Sequence, residues 1–512
     1  MILLLPILSA ILMRLAYPPL SLTFFSWWGL TLLFLSIFFA KSYKKVALYS
    51  FLFGFVYFGL LFLPFSALFD FVPAELMSLG MVLFALTQAC FIIVAGLLMR
   101  FFFDRFQLYG FIARVYICIT LPSIWVILEW VRSLGTFGNT LGVLAYAHYL
   151  NIPFLQLASL GGSYLLSWCV VCVNAVITLT IIDIVRRRRE YIWQWLLFWT
   201  SFVAIIVLLG LLCRFLLLVP TMPRGERQVS IFQPAVPQNE KLDDRASNTI
   251  KHMVLEHVRE YSQARKTDLI VLPETLVPEF LLLDKGFMFS LRDAVDATVI
   301  FGSPRFKNRG VNNDYCNAVL LMNKYGDVTP LHDKKYLVPF GEYIPYRSLI
   351  YGLIAPTGFL ETEYSKGEDN HSIASYATSI CFESTLPYQI REQVNSGGRA
   401  IVVITNDAWY KKTEMLEIHL ACAVMRAAEN NRYLIQAANT GVSAIIDNHG
   451  RILGRTKIDA RQWLEGRIEQ LVLPTPYTLL GETTVYVSFV ILALMGYLVL
   501  LSFATKGPAK IL

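Results

Sequence analysis

Charge is scarce in this sequence. Only 16% of its 512 residues are Asp, Glu, Lys or Arg, while 56% are hydrophobic. A chain so poor in charge is unlike an ordinary water-soluble globule, and a membrane-embedded protein is expected. The net charge is +7, but no basic patch carries it. The cations sit at the edges of apolar runs, which reads as a membrane-orientation signal rather than a nucleic-acid footprint. A disulfide framework is also missing. Five of the eight cysteines (Cys90, Cys118, Cys169, Cys172 and Cys213) lie in apolar segments, where cysteine acts as a small hydrophobe. Cys169 and Cys172 share a C-x-x-C spacing inside a long apolar run, and read as packing residues. The polar region holds Cys316, Cys381 and Cys422, an odd number without tight spacing, which leaves room for a free reactive thiol. No His/Cys spacing points to a metal, and no cofactor is expected. The apolar start, Met1 to Met13, lacks a preceding basic stretch and a following A-x-A site, so it reads as a retained first span. No internal repeat or low-complexity tract is present.

What is abundant is long apolar runs. A membrane helix needs roughly 20 mostly apolar residues. Runs at 2–19, 22–40, 46–66, 78–100, 112–131, 153–183, 192–219 and 484–505 predict about eight spans, or seven if the first two form one hairpin-like unit. Basic residues alternate in register with the eight. One side receives Lys41, Lys44, Lys45, Arg100, Arg105, Arg114, Arg186 to Arg189, Lys506 and Lys510; the other receives Arg14 and Arg132. Positive charge marks the cytoplasmic side. Both termini are then cytoplasmic, and residues 220–483 lie on the periplasmic or outer face. The expected organisation is a transmembrane domain at 1–219, an extracytoplasmic domain at 220–483, and a C-terminal helix with a short tail at 484–512.

The stretch 220–483 changes character. Runs rich in Val and Ile at Gln228–Gln233, Asp268–Pro273, Thr298–Gly302, Ala318–Met322, Ala400–Thr405, Tyr433–Ala437 and Val442–Ile446 predict strands. Ser247–Gln263 and Glu417–Asn431 have helical periodicity. Alternating strands and helices imply a layered α/β domain. Two apolar stretches stand out inside it: Phe280 to Leu283 with Phe287 to Phe289, and Leu349 to Pro356 with Phe359 and Leu360. They read equally as core or as loops that enter a bilayer and receive acyl chains.

Three chemistry-bearing residues follow in order. Glu274 ends the run Ile270-Val271-Leu272-Pro273-Glu274, Lys334 opens a segment that reaches Glu342, and Cys381 follows Ala377-Thr378-Ser379-Ile380. A thiol attacks as its thiolate, so it needs a base or a cation beside it. A carboxylate can take the proton, and an ammonium can favour the thiolate and an oxyanion. Taken singly, each residue has a bland alternative: a surface acid, a solvated lysine beside Lys335, a small buried cysteine.

Pro273-Glu274, the segment Lys334 through Glu342, and Cys381-Phe382-Glu383 together resemble the Glu–Lys–Cys pattern of the carbon–nitrogen hydrolase (nitrilase) superfamily. Leu337-Val338-Pro339-Phe340-Gly341-Glu342-Tyr343-Ile344-Pro345, Asn406-Asp407-Ala408-Trp409, the set His419, Arg426, Ala427, Glu429 and Arg432, and Asn439-Thr440-Gly441 resemble more closely its membrane-embedded branch, the apolipoprotein N-acyltransferases. The likeness spans essentially the whole chain. It implies an αββα nitrilase-like domain held between membrane helices. It implies Cys381 as nucleophile, Glu274 as general base and Lys334 as the oxyanion-side cation. Glu342 matches the family's second essential glutamate, and Phe382 and Glu383 the pair that shapes the pocket. The implied reaction moves an acyl chain from a phospholipid, through a Cys thioester, to the N-terminal amine of a diacylated apolipoprotein, in a bacterial inner membrane and without cofactor. The many spans favour a monomer.

The sequence departs from the family pattern twice. Leu242 follows Pro237-Gln238-Asn239-Glu240-Lys241 where a tryptophan is usual, and Tyr410-Lys411-Lys412 replaces Phe-Gly-Asp. Two other readings stand beside this one: a membrane-anchored amidase using the same triad, and a non-catalytic scaffold or transporter. Many spans argue against the first, and the scarcity of ionisable residues within spans argues against the second.

Overall fold

The computed structural model describes residues 3–106, 110–218, 225–307, 314–354, 363–368 and 372–506. The chain forms two compact units. One comprises Met1–Ser66, Ala74–Arg214 and Leu480–Leu512; the other comprises Ala67–Pro73 and Phe215–Leu479.

The first unit is helical. Among the described residues, six helices are long and apolar enough to cross a membrane: Tyr43–Asp70, Ala74–Phe106, Gly110–Arg132, Ala158–Val185, Ile192–Leu212 and Thr483–Leu501. The first two expected spans are shorter than the others. They are the short apolar helices Leu4–Ala16 and Thr23–Phe38. Thirteen residues rise only about 20 Å, short of the roughly 30 Å of a bilayer core. The break falls at Tyr17, whose backbone is extended before Pro18-Pro19. Ser9 Oγ donates to Gly29 O at 2.7 Å and ties the two short helices together. Two buried charged groups within this unit have close partners. Arg114 donates to both carboxylate oxygens of Asp183 at 2.7 and 2.8 Å, and Trp195 Nε1 adds a third bond at 3.0 Å. Glu129 accepts from Trp125 Nε1 at 2.9 Å and Leu144 N at 3.0 Å. Such pairing offsets the cost of a charge away from water.

The second unit holds two sheets. Among the described residues eleven strands contribute: β1 Glu226–Gln233, β2 Leu269–Val271, β3 Thr298–Phe306, β4 Tyr315–Met322, β5 Val328–Asp333, β6 Tyr376–Ile380, β7 Ala400–Thr405, β8 Leu434–Ala438, β9 Ala444–Ile446, β10 Ile452–Arg455 and β11 Gln462–Glu469. The six-stranded sheet runs β11-β1-β2-β3-β4-β5, and the five-stranded sheet runs β10-β9-β8-β7-β6. Strands β1, β2 and β3 are parallel, as are β6, β7 and β8. Period-2 alternation sends Val229 and Ile231 of β1 into a core shared with Val402 and Ile404 of β7. Phe232 of β1 faces the other way, against Val254 and Val258 of the helix Ser247–Ala264 and Leu291 of Lys285–Ala294. Met415–Asn430 and Pro387–Asn395 accompany the second sheet. The layers are helix, sheet, sheet, helix, as the αββα expectation requires.

All seven expected strands and both expected helices are present. Four strands have no counterpart in the sequence reading: β5, β6, β10 and β11. Strand β11 is an edge strand with Glu465 and Arg467 outward, so its charges hide the pattern. Strand β6 is buried throughout, yet carries Thr378 and Ser379. It is also an edge strand, and Gln389 and Gln393 of the neighbouring helix satisfy its open backbone. Gln393 Oε1 accepts from Thr378 N at 2.6 Å, and both amides donate to Thr378 O at 3.1 and 2.6 Å.

The first apolar stretch proves to be largely core. Leu281 is fully buried and Phe287 nearly so, in the cluster beneath the six-stranded sheet, while Leu283 and Phe289 remain exposed. In the second stretch Leu349 is 79% exposed on the helix Arg347–Ile354; Ala355, Pro356, Phe359 and Leu360 lie outside the described residues.

Candidate active site

In α/β sheets, loops at the carboxyl ends of parallel strands gather at one edge. Here that geometry collects the expected residues. Glu274 lies three positions beyond β2, Lys334 follows β5, Cys381 follows β6, Asn406 and Asp407 follow β7, and Asn439 follows β8. Glu274, Lys334 and Cys381 are all buried.

Glu274 is held from several sides. Its Oε1 accepts from Asn317 Nδ2 at 2.7 Å and from Lys334 Nζ at 3.5 Å; its Oε2 accepts from Asn406 N at 2.7 Å. The turn that carries it is sewn to β3, with Gly302 N donating to Pro273 O and Leu276 N to Gly302 O, both at 3.1 Å. A Cβ at position 302 would stand 2.7 Å from Glu274 Cα and Thr275 N, so only glycine permits this approach. On the other flank Lys241 Nζ donates to Thr275 O at 2.7 Å and Glu274 O at 3.4 Å. Burial pulls the Lys241 ammonium down to about 7.

Lys334 sits between two carboxylates, 2.8 Å from Glu342 Oε1 and 3.5 Å from Glu274 Oε1. Burial alone would lower its pKa; Glu342, Glu274 and Cys381 outweigh that and hold it well above the ordinary lysine range. Glu342 Oε2 accepts from Val338 N at 2.9 Å, which closes the Pro339-Phe340-Gly341 loop on itself. Burial pushes Glu342 up, against the pull of Lys334. The side chain of Lys335 takes no part in this cluster; only its backbone N–H does, toward Glu383.

Cys381 occupies a strained elbow, with φ at +50° directly after β6. Burial and then the Glu274 charge raise its thiol pKa, while Lys334 pulls it back. Its elbow is fastened by Glu383, whose side chain is fully buried. Glu383 Oε1 accepts from Lys335 N at 2.7 Å and Tyr336 N at 3.0 Å. Its Oε2 accepts from Ile380 N at 3.0 Å and bonds His332 Nε2 at 2.8 Å. Burial opposes the charge on Glu383, but His332 and the backbone donors win, and its pKa falls below the usual carboxylate range. One side chain thus joins the cysteine elbow to the lysine segment. Phe382 is half-buried. Arg426, fully buried, pairs with Glu429 at 2.8 Å and donates to Thr385 O at 3.3 Å, anchoring the far end of the same turn.

The Asn406-Asp407-Ala408-Trp409 segment adds a second polar cluster. Asn406 Nδ2 donates to Gln238 Oε1, and Asn439 Nδ2 to Asn406 Oδ1, both at 2.9 Å, so the Pro237-Gln238 and Asn439-Thr440-Gly441 motifs meet there. Asp407 Oδ1 accepts from Thr405 Oγ1 and bonds His419 Nδ1, both at 2.8 Å. Cys381, Asp407 and His419 offer sulfur, oxygen and nitrogen atoms all within 4.8 Å of one another, a set able to hold a metal ion. Lys411, where the family pattern has glycine, adopts φ +49° and ψ −142°. Its ammonium pairs with Asp70, and Trp409 meets Phe71 edge-on at 5.0 Å. Leu242, in the tryptophan position, is exposed.

The sequence reading named neither Asn317, His332 nor Lys241 as site residues. Asn317 left one signal, being a lone amide in the otherwise apolar core of β4. The other two left none.

Comparisons with known proteins identify the family of the chain. Residues 9–176 match the family model for the apolipoprotein N-acyltransferase N-terminal domain, and residues 235–470 match that for carbon-nitrogen hydrolase. An apolipoprotein N-acyltransferase of Geobacter metallireducens is 30% identical over 366 residues, 68% of each chain. One from Methylococcus capsulatus is 28% identical over 495 residues, covering 94% of this chain and 92% of its own. Among solved structures, Saccharomyces cerevisiae Nit3, of the nitrilase superfamily, is 15% identical with a TM-score of 0.37, over 48% of this chain and 91% of its own.

Proposed function

We propose, for a chain that belongs to the apolipoprotein N-acyltransferase family, that Cys381, Glu274 and Lys334 carry the transfer of an acyl chain from a phospholipid to a lipoprotein amine. The observation that carries this reading is the convergence of those three buried side chains, with Glu342, at one edge of the sheets.

Two half-reactions make up the transfer. Glu274 takes the Cys381 proton as sulfur attacks the phospholipid ester carbon. Lys334 and nearby donors offset the charge that develops on the carbonyl oxygen. The C–O bond breaks, the lysophospholipid oxygen receives the proton from Glu274, and a thioester remains. The free amine of a diacylglyceryl-cysteine then attacks the thioester carbon. Glu274 takes the amine proton, the C–N bond forms, the C–S bond breaks, and the thiolate is reprotonated. Glu342 keeps Lys334 oriented, and Glu383 keeps the elbow of Cys381 in register with it. No step requires a metal. Family membership disfavours the amidase and scaffold readings.

The chain sits in the bacterial inner membrane with residues 220–483 on the periplasmic face. It is supported by the long apolar helices, with Lys41, Lys44, Lys45, Arg100, Arg105 and Arg186 to Arg189 falling at alternate ends along the chain. That alternation does not depend on the two short N-terminal helices. The test of function is the intact mass of the protein after incubation with phospholipid. One added acyl group, absent in Cys381→Ala and discharged by a diacylated lipopeptide, is the expected result. An unchanged mass for the wild type would reject the thioester.

A further inference from the structure

We propose that Cys381, Asp407 and His419 form a capture site for a zinc-class divalent ion, and that occupation of this site shuts off acyl transfer reversibly. The inhibitory half rests on Cys381 being the nucleophile; the binding half does not.

Three observations carry it. The first is the donor set. A thiolate sulfur, an imidazole nitrogen and a carboxylate oxygen are what Zn²⁺ or Co²⁺ selects, whereas Mg²⁺ and Ca²⁺ require all-oxygen sites. The three donor atoms lie within 4.8 Å of one another. Bond lengths of about 2.0–2.3 Å give tetrahedral ligand separations of about 3.3–3.8 Å, so closure needs movements of the order of 1 Å.

The second is an orphaned atom. Asp407 is fully buried, and while its Oδ1 serves Thr405 and His419, its Oδ2 has no hydrogen-bond partner among the described residues. A buried carboxylate oxygen without a donor is costly unless something positive meets it. The third is the built seat of that carboxylate, which needs a glycine beside it. Gly441 lies against it, and a Cβ there would stand 2.4 Å from Oδ2.

Binding displaces one proton from the Cys381 thiol to solvent, forming a metal–sulfur bond. The His419 proton must reside on Nε2 if Nδ1 coordinates, which exchanges its bond to Asp407 for a shared ion. Thiolate, carboxylate and neutral imidazole leave the divalent ion with no net charge and a fourth position open. The sulfur lone pair is then engaged, and attack on an ester stops.

The test uses the full-length protein in detergent with Co²⁺ as probe. A near-ultraviolet thiolate-to-cobalt charge-transfer band should appear, together with visible bands of tetrahedral intensity. Zn²⁺ should displace them and Mg²⁺ should not. Both sets should vanish in Cys381→Ala, and His419→Gln should weaken Zn²⁺ binding by at least about tenfold. In the wild type, Zn²⁺ should protect Cys381 from maleimide and a chelator should restore labelling; this arm needs no variant to fold. Bands that persist in Cys381→Ala, or a Cys381 that labels equally fast with Zn²⁺, would overturn the site. If cobalt binds at Cys381 but Zn²⁺ leaves transfer intact, the capture site stands and the nucleophile assignment fails. If no metal binds but the acyl adduct forms, the reverse holds.

Discussion

Asn317 Nδ2 stands 2.7 Å from Glu274 Oε1, nearer than the 3.5 Å of Lys334 Nζ to the same oxygen. The closest side-chain donor to the proposed base is therefore a neutral amide near the start of a strand, which aims the carboxylate without neutralising it. Asn317→Ala should leave the fold intact and lower transfer. A lost hydrogen bond to a charged group is worth about 1.5–3 kcal/mol, or roughly 10- to 150-fold in turnover. Single-turnover transfer rates check this, and a rate within threefold of wild type would remove Asn317 from the site.

The charges around Cys381 pull in opposite directions. Lys334 lowers the thiol pKa, and Glu274 raises it. Lys334→Met should slow alkylation of Cys381 at fixed pH, because less thiolate is present. Glu274→Gln should speed it, because a negative neighbour is gone. Transfer should fall at least about 100-fold in both, since base and cation are each lost. Iodoacetamide labelling between pH 6 and 9, read beside acyl transfer, separates the two effects. Alkylation changing in the same direction in both variants would refute the assignment.

Glu383 predicts an acid-side loss of stability. Its folded pKa lies below the unfolded value of about 4.3, so its contribution is complete above that value and is lost as pH falls through the folded one. Glu383→Gln should be less stable at neutral pH, by about 3 kcal/mol or more given the buried His332 partner. It should also lose less further stability between pH 5 and 3. Thermal unfolding across that range is the measurement, and parallel curves for both proteins would exclude the linkage.

Lys411 holds a backbone conformation that only glycine visits freely. Lys411→Ala keeps the strain and loses the pair with Asp70. Lys411→Gly loses the same half-exposed pair, worth about 1 kcal/mol at most, but relieves strain of about 1–3 kcal/mol. The glycine variant should melt above the alanine variant by several degrees. Equal melting temperatures would mean the turn is not strained.

Leu281 and Leu283 are adjacent in an apolar run yet belong to different environments. Leu281→Ala should cost about 2–5 kcal/mol, as for other buried leucines, and Leu283→Ala under about 0.5 kcal/mol. Equal losses in denaturant unfolding would contradict the packing. Any contact of this stretch with acyl chains then falls to Leu283 and Phe289, the residues that remain exposed.

What the sequence determined by itself was whatever is written in local pattern. Apolar runs of bilayer length announce the long helices, since burying about 20 such residues leaves few alternatives. Val- and Ile-rich runs announce the strands that are buried on a face. Glu274, Lys334 and Cys381 were legible because motif residues sit beside them in the chain. The tertiary structure decided the rest, because it depends on contacts between distant residues. Strand β6 looks polar until Gln389 and Gln393 cover its edge. Asn317, His332 and Lys241 acquire their significance only when β4, β5 and the Pro237-Gln238 loop reach the same end of the sheets. No local pattern encodes that meeting, which arises from parallel strands delivering their carboxyl ends to one edge.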